Sequence, residues 1–373
     1  MKICTMTCHH VYNYGATLQA FALQHYLESL GHEVEIIDYR LPSHRRYDLS
    51  YIHPSGRLYQ ISKKLPFLKW PIRLYRNIDQ IKTWGRKKSF DKFDANYLHI
   101  TENTYRTIEE LRGNPPKADM YIAGSDQIWN TNMPNGNSPA YYLDFGDKDK
   151  RRISYAASFG ISEISDDCKS FVKEEVGNLD AVSVREVSGL KILEKLGFSN
   201  VDVVCDPVFL LSKEEWQNTS SRSKRYNLEK GSYVLAYDFI DDERIEKYCL
   251  QLSIDTGKKI VSVNDLGYRK YADVNINDAG PLEFVSLIDG AAFVVSNSFH
   301  ATAFSIILEK EFYTFNLKSQ CNSSRMTDLL TIVGLMERFQ SDKVLPTIDY
   351  FEVANKLNQY ISKGKIFLVN RVK

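Results

Sequence analysis

Short apolar runs and longer amphipathic runs take turns along most of this chain. Residues 2–7 are β-prone, 8–15 read as a loop, and 16–30 as a helix with Leu18, Ala22, Tyr26 and Leu30 on one face. Gly31 ends that helix and 34–37 is the next strand. The first forty residues therefore predict a βαβ unit, and with it a parallel sheet. The rhythm returns with strands over 119–123, 152–157, 181–184 and 201–204, and helices over 165–177 and 187–196. A polar stretch, 212–231, interrupts it and is the candidate linker. Beyond lie predicted strands at 233–237, 259–263, 292–295 and 312–315, and helices at 242–256, 281–290 and 301–308. Pro281 suits the first position of its helix. Alternation on both sides of a linker predicts two α/β domains, 1–212 and 213–345, with a tail helix at 346–373 packing back on the first.

Composition adds little until it is read locally. The 373 residues include 48 basic and 47 acidic side chains, a net charge of +1, which argues against a general nucleic-acid binder. From Arg40 to Lys92, however, fourteen basic residues face three acidic ones, +11, leaving the rest of the chain at −10. In the insertion at about 40–92 these charges interleave with Leu58, Tyr59, Phe67, Trp70, Tyr75 and Trp84. That mixture fits a helix lying on an anionic membrane surface, or equally an insertion whose apolar side packs on the first domain. The six cysteines show no disulfide-framework spacing, the start lacks a signal-peptide core, and no run of about 18 apolar residues spans a bilayer. The expectation is a cytoplasmic protein, peripheral on the inner face of the plasma membrane if the basic segment binds it.

Candidate chemistry gathers at strand ends, where open parallel sheets bind ligands. Gly124-Ser125-Asp126, Ser158-Phe159-Gly160 and Arg185 fall there in the first domain, and Ser296-Asn297-Ser298-Phe299-His300 in the second. His300, the one histidine beyond residue 99, is a candidate general acid or a helix-start histidine bonded to a carbonyl. Arg185 suits anion capture or a structural ion pair. Asp126 could orient a hydroxyl, act as a base or cap a helix. Cys4, Cys8, His9 and His10 imitate a metal cluster but lack a second ligand pair at zinc spacing, so no metal is expected. No dinucleotide fingerprint, P-loop or nucleophile elbow occurs, and cofactor-free catalysis is the expectation.

Six segments in order and spacing resemble the polysaccharide pyruvyl transferase family. They are Asn13-Tyr14-Gly15-Ala16-Thr17-Leu18-Gln19-Ala20, Ala123-Gly124-Ser125-Asp126-Gln127-Ile128-Trp129-Asn130, Ser154-Tyr155-Ala156-Ala157-Ser158-Phe159-Gly160, Ser183-Val184-Arg185-Glu186, Cys205-Asp206-Pro207-Val208 and Ser296-Asn297-Ser298-Phe299-His300-Ala301. The resemblance implies two Rossmann-like domains facing across a cleft, as in GT-B glycosyltransferases. It also implies phosphoenolpyruvate as donor and a sugar diol as acceptor, with a pyruvate ketal and phosphate as products. The acceptor would belong to a bacterial capsular, exopolysaccharide or cell-wall polymer, or to its polyprenyl-diphosphate-linked precursor. His300 would be the catalytic acid, with Arg185 and Asp126 beside it. Arg185, Asn297, Ser298, Ser323, Ser324 and Arg325 would bind the donor. Asn13, Tyr14, Gly15, Ser125, Asp126, Gln127, Trp129, Ser158 and Phe159 would bind the acceptor. Better-known members carry an arginine two residues before that histidine, where this chain has Ser298; Arg325 is the candidate replacement. The alternatives are a glycosyltransferase using a nucleotide sugar, told apart by release of nucleoside diphosphate, and a non-catalytic sugar-binding member.

Overall fold

In the computed structural model, which describes residues 1–41, 67, 81–223, 225–264, 267–317 and 324–373, strand β1 (Lys2–Met6) is buried along nearly its whole length. Helix α1 (Tyr14–Ser29) carries the chain over to β2 (Glu33–Tyr39), which pairs parallel with β1 in the register Ile3↔Val34. Asn13 starts α1 two residues ahead of the predicted position, its carboxamide oxygen accepting from the Gly15 and Ala16 amides. Helix α2 (Trp84–Tyr97) and strand β3 (Ile100–Tyr105) come next, and neither has a clear hydrophobic period. Only Arg86, Phe90 and Phe93 of α2 are buried, and the three middle residues of β3 are exposed on an edge strand.

Helix α3 (Ile108–Gly113) leads to β4 (Met120–Ala123) and β5 (Arg151–Ser154), then α4 (Asp166–Gly177), β6 (Val182–Val184), α5 (Val187–Lys195) and β7 (Val201–Val203). Five strands form one parallel sheet in the order β3-β2-β1-β4-β5. Parallel bridges Ile153↔Ala181 and Ala157↔Val184 attach the β6-β7 pair beside β5. The second sheet repeats the permutation with β8 (Tyr233–Tyr237), β9 (Lys259–Val263), β10 (Val274–Ile276), β11 (Phe293–Ser296) and β12 (Glu311–Thr314) in the order β10-β9-β8-β11-β12. Two doubly wound parallel sheets make two Rossmann-like units, a GT-B-like α/β fold.

The polar stretch 212–231 is not a bare linker. Its first part is helix α6 (Lys213–Ser220), opened by a capping box in which Ser212 and Glu215 satisfy each other's amides. Trp216 on α6 is wholly buried, packs edge-on against Phe304 and donates its indole N–H to the Val208 carbonyl. The remaining helices are α7 (Glu243–Thr256), α8 (Pro281–Gly290), α9 (Phe299–Ile307), α10 (Ser324–Val333) and α11 (Tyr350–Arg371).

One hydrophobic core runs through both units. Tyr14, at the start of α1, stacks on Phe284 of α8 with ring centroids 4.3 Å apart and gives its hydroxyl hydrogen to the Ala279 carbonyl. The tail helix α11 touches α10 on one side and the first unit on the other, where Tyr360 donates to the Val204 carbonyl and Gly364 lies against Tyr155 and Cys205. Most of the basic insertion, 42–66 and 68–80, lies outside the described residues, and with it most of the membrane-surface reading. In its described end Lys82, Lys88 and Lys92 are exposed, while two other basic residues are engaged. Arg86 is buried with its guanidinium 4.1 Å from the Tyr14 ring centre, and Lys87 pairs with Asp91.

Candidate active site

The C-terminal ends of β6 and β11 and the starts of α1, α9 and α10 converge on one buried charged centre. Arg185 follows β6 directly, which fixes its stem in the sheet, and its side chain is 1% exposed. Its Nη1 donates to Asp206 Oδ2 at 2.5 Å. Nη2 lies 3.9 Å from Asp126 Oδ1 and Nε 3.8 Å from Glu186 Oε2, and neither nitrogen has a hydrogen-bond partner among the described residues. Buried donors without partners cost free energy, and such exceptions concentrate at functional sites.

Asp206 is the hub. Its Oδ2 also accepts from Ser125 Oγ at 3.1 Å and stands 3.5 Å from His300 Nε2, while Oδ1 accepts from the Val208 amide. Burial alone would push this carboxyl up. The adjoining charges of His300 and Arg185, with the Arg185 hydrogen bond, outweigh burial and hold it well below the usual carboxylate range. Burial likewise works against the Arg185 cation, but the charges of Asp206, Glu186 and Asp126 raise its pKa.

His300 is in the first turn of α9, 7% exposed, with an Nε2 that makes no hydrogen bond to the described residues. Its ring lies against Gly15 of the other unit. A β-carbon on Gly15 would stand 1.9 Å from His300 Nδ1, so only glycine admits the ring there. Phe299 separates two arginines, with Arg185 4.7 Å and Arg325 6.0 Å from its ring centre. Burial, then the like charge of Arg185, pulls the Arg325 guanidinium down to about 10, still charged at neutral pH. Asp126 holds a left-handed backbone (φ 69°) with its carboxylate 19% exposed, the most open acid of the group.

Several residues expected to touch ligands have structural work instead. Ser298 caps α9 by accepting from the Ala301 amide, and Asn297 bridges Asp238 and the Phe239 amide. Ser324 meets Ser188 across the domain junction, and Ser323 lies outside the described residues. Trp129 and Phe159 are fully buried, Trp129 donating to the Tyr141 carbonyl. Ser158 donates to Glu186, Gln127 accepts from Asn130, Asn13 caps α1 and Tyr14 is in the inter-unit stack. These positions hold the centre up from behind. Sequence alone marks Asp206 and Glu186 only as letters of a motif; Asp206 joins Arg185 and His300 solely through tertiary contact. Glu186 Oε1 anchors the 158–160 loop by accepting from Ser158 Oγ and the Phe159 and Gly160 amides.

A charged centre buried between two Rossmann-like units is the layout of a GT-B-like transferase. The chain belongs to the polysaccharide pyruvyl transferase family, which matches residues 13–319. No curated protein matches it. Similar solved structures include UDP-GlcNAc 2-epimerase from Methanocaldococcus jannaschii in complex with UDP-GlcNAc and UDP, at 11% identity over 100% of both chains and TM-score 0.48. Another is UDP-GlcNAc 2-epimerase from Neisseria meningitidis bound to UDP-GlcNAc, at 12% identity over 98% of this chain and 94% of that one, TM-score 0.47. A third is ADP-heptose LPS heptosyltransferase II from E. coli, at 10% identity over 98% and 100%, TM-score 0.39.

Proposed function

We propose that the chain transfers the pyruvyl group of phosphoenolpyruvate to two hydroxyls of a sugar, forming a cyclic ketal and releasing phosphate. The observation that carries this reading is a pair of arginines, the buried 185 and the half-buried 325, both facing the Phe299 ring beside a histidine whose Nε2 has no hydrogen-bond partner among the described residues. A donor with a phosphate and a carboxylate needs two such cations, and guanidinium forks suit both groups. Arg325 supplies from α10 the charge that Ser298 does not supply from the α9 loop. No metal is required, and no group of three metal-ligating side chains occurs among the described residues.

The steps follow from the enol phosphate. His300 Nε2–H protonates the methylene carbon, leaving an oxocarbenium-like centre at the carbon bearing the phosphate ester. One sugar hydroxyl adds to that carbon, and Asp126, the exposed carboxylate, receives its proton. The C–O bond to phosphate then breaks, Asp126 passing its proton to the departing phosphate oxygen while the arginines take up the remaining charge. The second hydroxyl closes the ring and its proton restores His300. Asp206 pairs with Arg185 and sets its negative charge 3.5 Å from His300 Nε2, so acid and anion clamp share one buried support.

The test is phosphate release from phosphoenolpyruvate in the presence of a panel of sugar acceptors, with the ketal detected by mass spectrometry. His300→Ala should lower kcat by about 10²–10⁴-fold while leaving phosphoenolpyruvate binding intact. Full turnover by that variant would remove His300 from the reaction. Nucleoside diphosphate release from a nucleotide sugar, with none of phosphate from phosphoenolpyruvate, would replace pyruvyl transfer by glycosyl transfer.

A further inference from the structure

Most of the side chains that the family resemblance assigns to the acceptor are packed away, which leaves open where a sugar is held. A second polar cluster lies at the C-terminal ends of β1 and β2, where loop 8–13 meets one face of α2. Part of it is fully committed. Asp38 accepts from Arg40 at 2.7 and 2.9 Å and from Thr104 at 2.6 Å, and His9 Nε2 is 3.2 Å away. Asp91 takes the Tyr12 hydroxyl on Oδ1 and Lys87 on Oδ2.

Two members keep capacity to spare. Asp94 Oδ1 is buried and has no hydrogen-bond partner among the described residues. Oδ2 of the same carboxyl is 4.0 Å from His10 Nδ1, too far for a hydrogen bond, and the two side chains are 13% and 24% exposed. A single hydroxyl oxygen fits a gap of that width and can bond to both sides. The wall beside it is rigid, with the Tyr12 ring 5.1 Å from that of His10 and 5.9 Å from that of Phe90. Tyr12 also holds a left-handed backbone at φ 52°, an expensive state for an aromatic residue that tends to occur at ligand clamps.

From these contacts we infer that His10 and Asp94 form an acceptor subsite that grips hydroxyls of a neutral sugar. This inference rests on the pyruvyl-transfer reading for the word acceptor. The loop runs from β1 into Asn13, the cap of α1, two residues before the Gly15 that touches His300, so a short stretch of chain joins the subsite to the acid. Charge supports a neutral ligand. Burial raises the Asp94 carboxyl to about 7 and lowers His10 to about 4, so near neutrality the pair carries at most a fractional charge. Asp38, Asp91, His9, Arg40 and Lys87 around it are already paired among themselves. A metal does not suit it, since no three ligating side chains converge among the described residues.

The test compares the wild-type chain with Asp94→Asn and His10→Ala. Both variants should raise the acceptor KM by about tenfold or more, the loss of one good hydrogen bond, with the phosphoenolpyruvate KM unchanged. Unchanged acceptor KM, or an equal rise in both constants, would overturn the subsite. Saturation-transfer NMR with a panel of neutral methyl glycosides gives a readout independent of turnover. Signals present in wild type and lost in a folded Asp94→Asn protein support the subsite, and equal signals in both refute it. Glycoside binding that depends on Asp94 without any phosphate release would sink the donor reading and leave the subsite standing.

Discussion

At Gly15, a residue without a side chain fixes the position of one that matters. Its φ is not in the left-handed region, so conformational freedom is not what the site asks of it; space for the His300 ring is. Helix propensity alone favours Gly15→Ala by about 1 kcal/mol. The contact predicts otherwise. The added methyl must displace the ring, and a misplacement of about 1 Å costs on the order of 10²-fold in kcat. Steady-state kinetics beside a melting curve separates the two, and wild-type kcat in the Gly15→Ala variant would show that the ring is not held from this side. His300, Arg185 and Asp126 could be picked out from sequence because each lies just past a strand, where a side chain has few places to go. Asp206 could not, because its partners Arg185 and His300 lie far off along the chain and an Asp-Pro pair after a strand reads as a turn. Trp129 and Phe159 are buried, which a motif cannot announce, since it does not say which of its letters face solvent.

Among elements, α6 separates a true linker from a folded segment. Trp216→Ala should cost about 3–5 kcal/mol, because a wholly buried indole leaves a cavity and strands the Val208 carbonyl. Denaturant melts would show this as a lower midpoint, and a shift below about 1 kcal/mol would return the segment to linker status. The buried parallel strands were legible as apolar runs, and α8 by its leading proline. The segments that escaped had physical reasons to do so. Strand β3 lies at a sheet edge with its middle exposed, β10 has only three residues, and α2 buries little more than Phe90, Phe93 and the cation Arg86. In α6 a single tryptophan carries the packing that periodicity normally advertises.

For the whole molecule, opposed carboxylates set the response to pH. Asp38 and Asp206 are pushed up by burial but held well below the usual range by their histidine and arginine partners. Their folded pKa values are depressed, so the stability they add is complete above the ordinary carboxylate value and drains away as pH falls beneath it. Glu175 on α4 is the reverse: burial raises it to about 7 from an ordinary 4.5. It costs nothing below 4.5 and erodes stability as pH climbs towards 7. Glu175→Gln should therefore match the wild type below about pH 4.5 and gain on the order of 1 kcal/mol over it by about pH 7, read as a difference in melting temperature. Parallel pH profiles for the two proteins would discard this account. The charge pattern of the sequence carried none of it, because the sign of each shift depends on which partner is buried alongside.

The seat of His300 has a consequence for how the protein can work. The ring belongs to one sheet and the glycine it rests on to the other, with Tyr14 and Phe284 stacked close by. Neither half can arm the acid alone. On the proposed reaction, the proton donor is seated only where the two halves meet, so a change at either side of that seam reaches it.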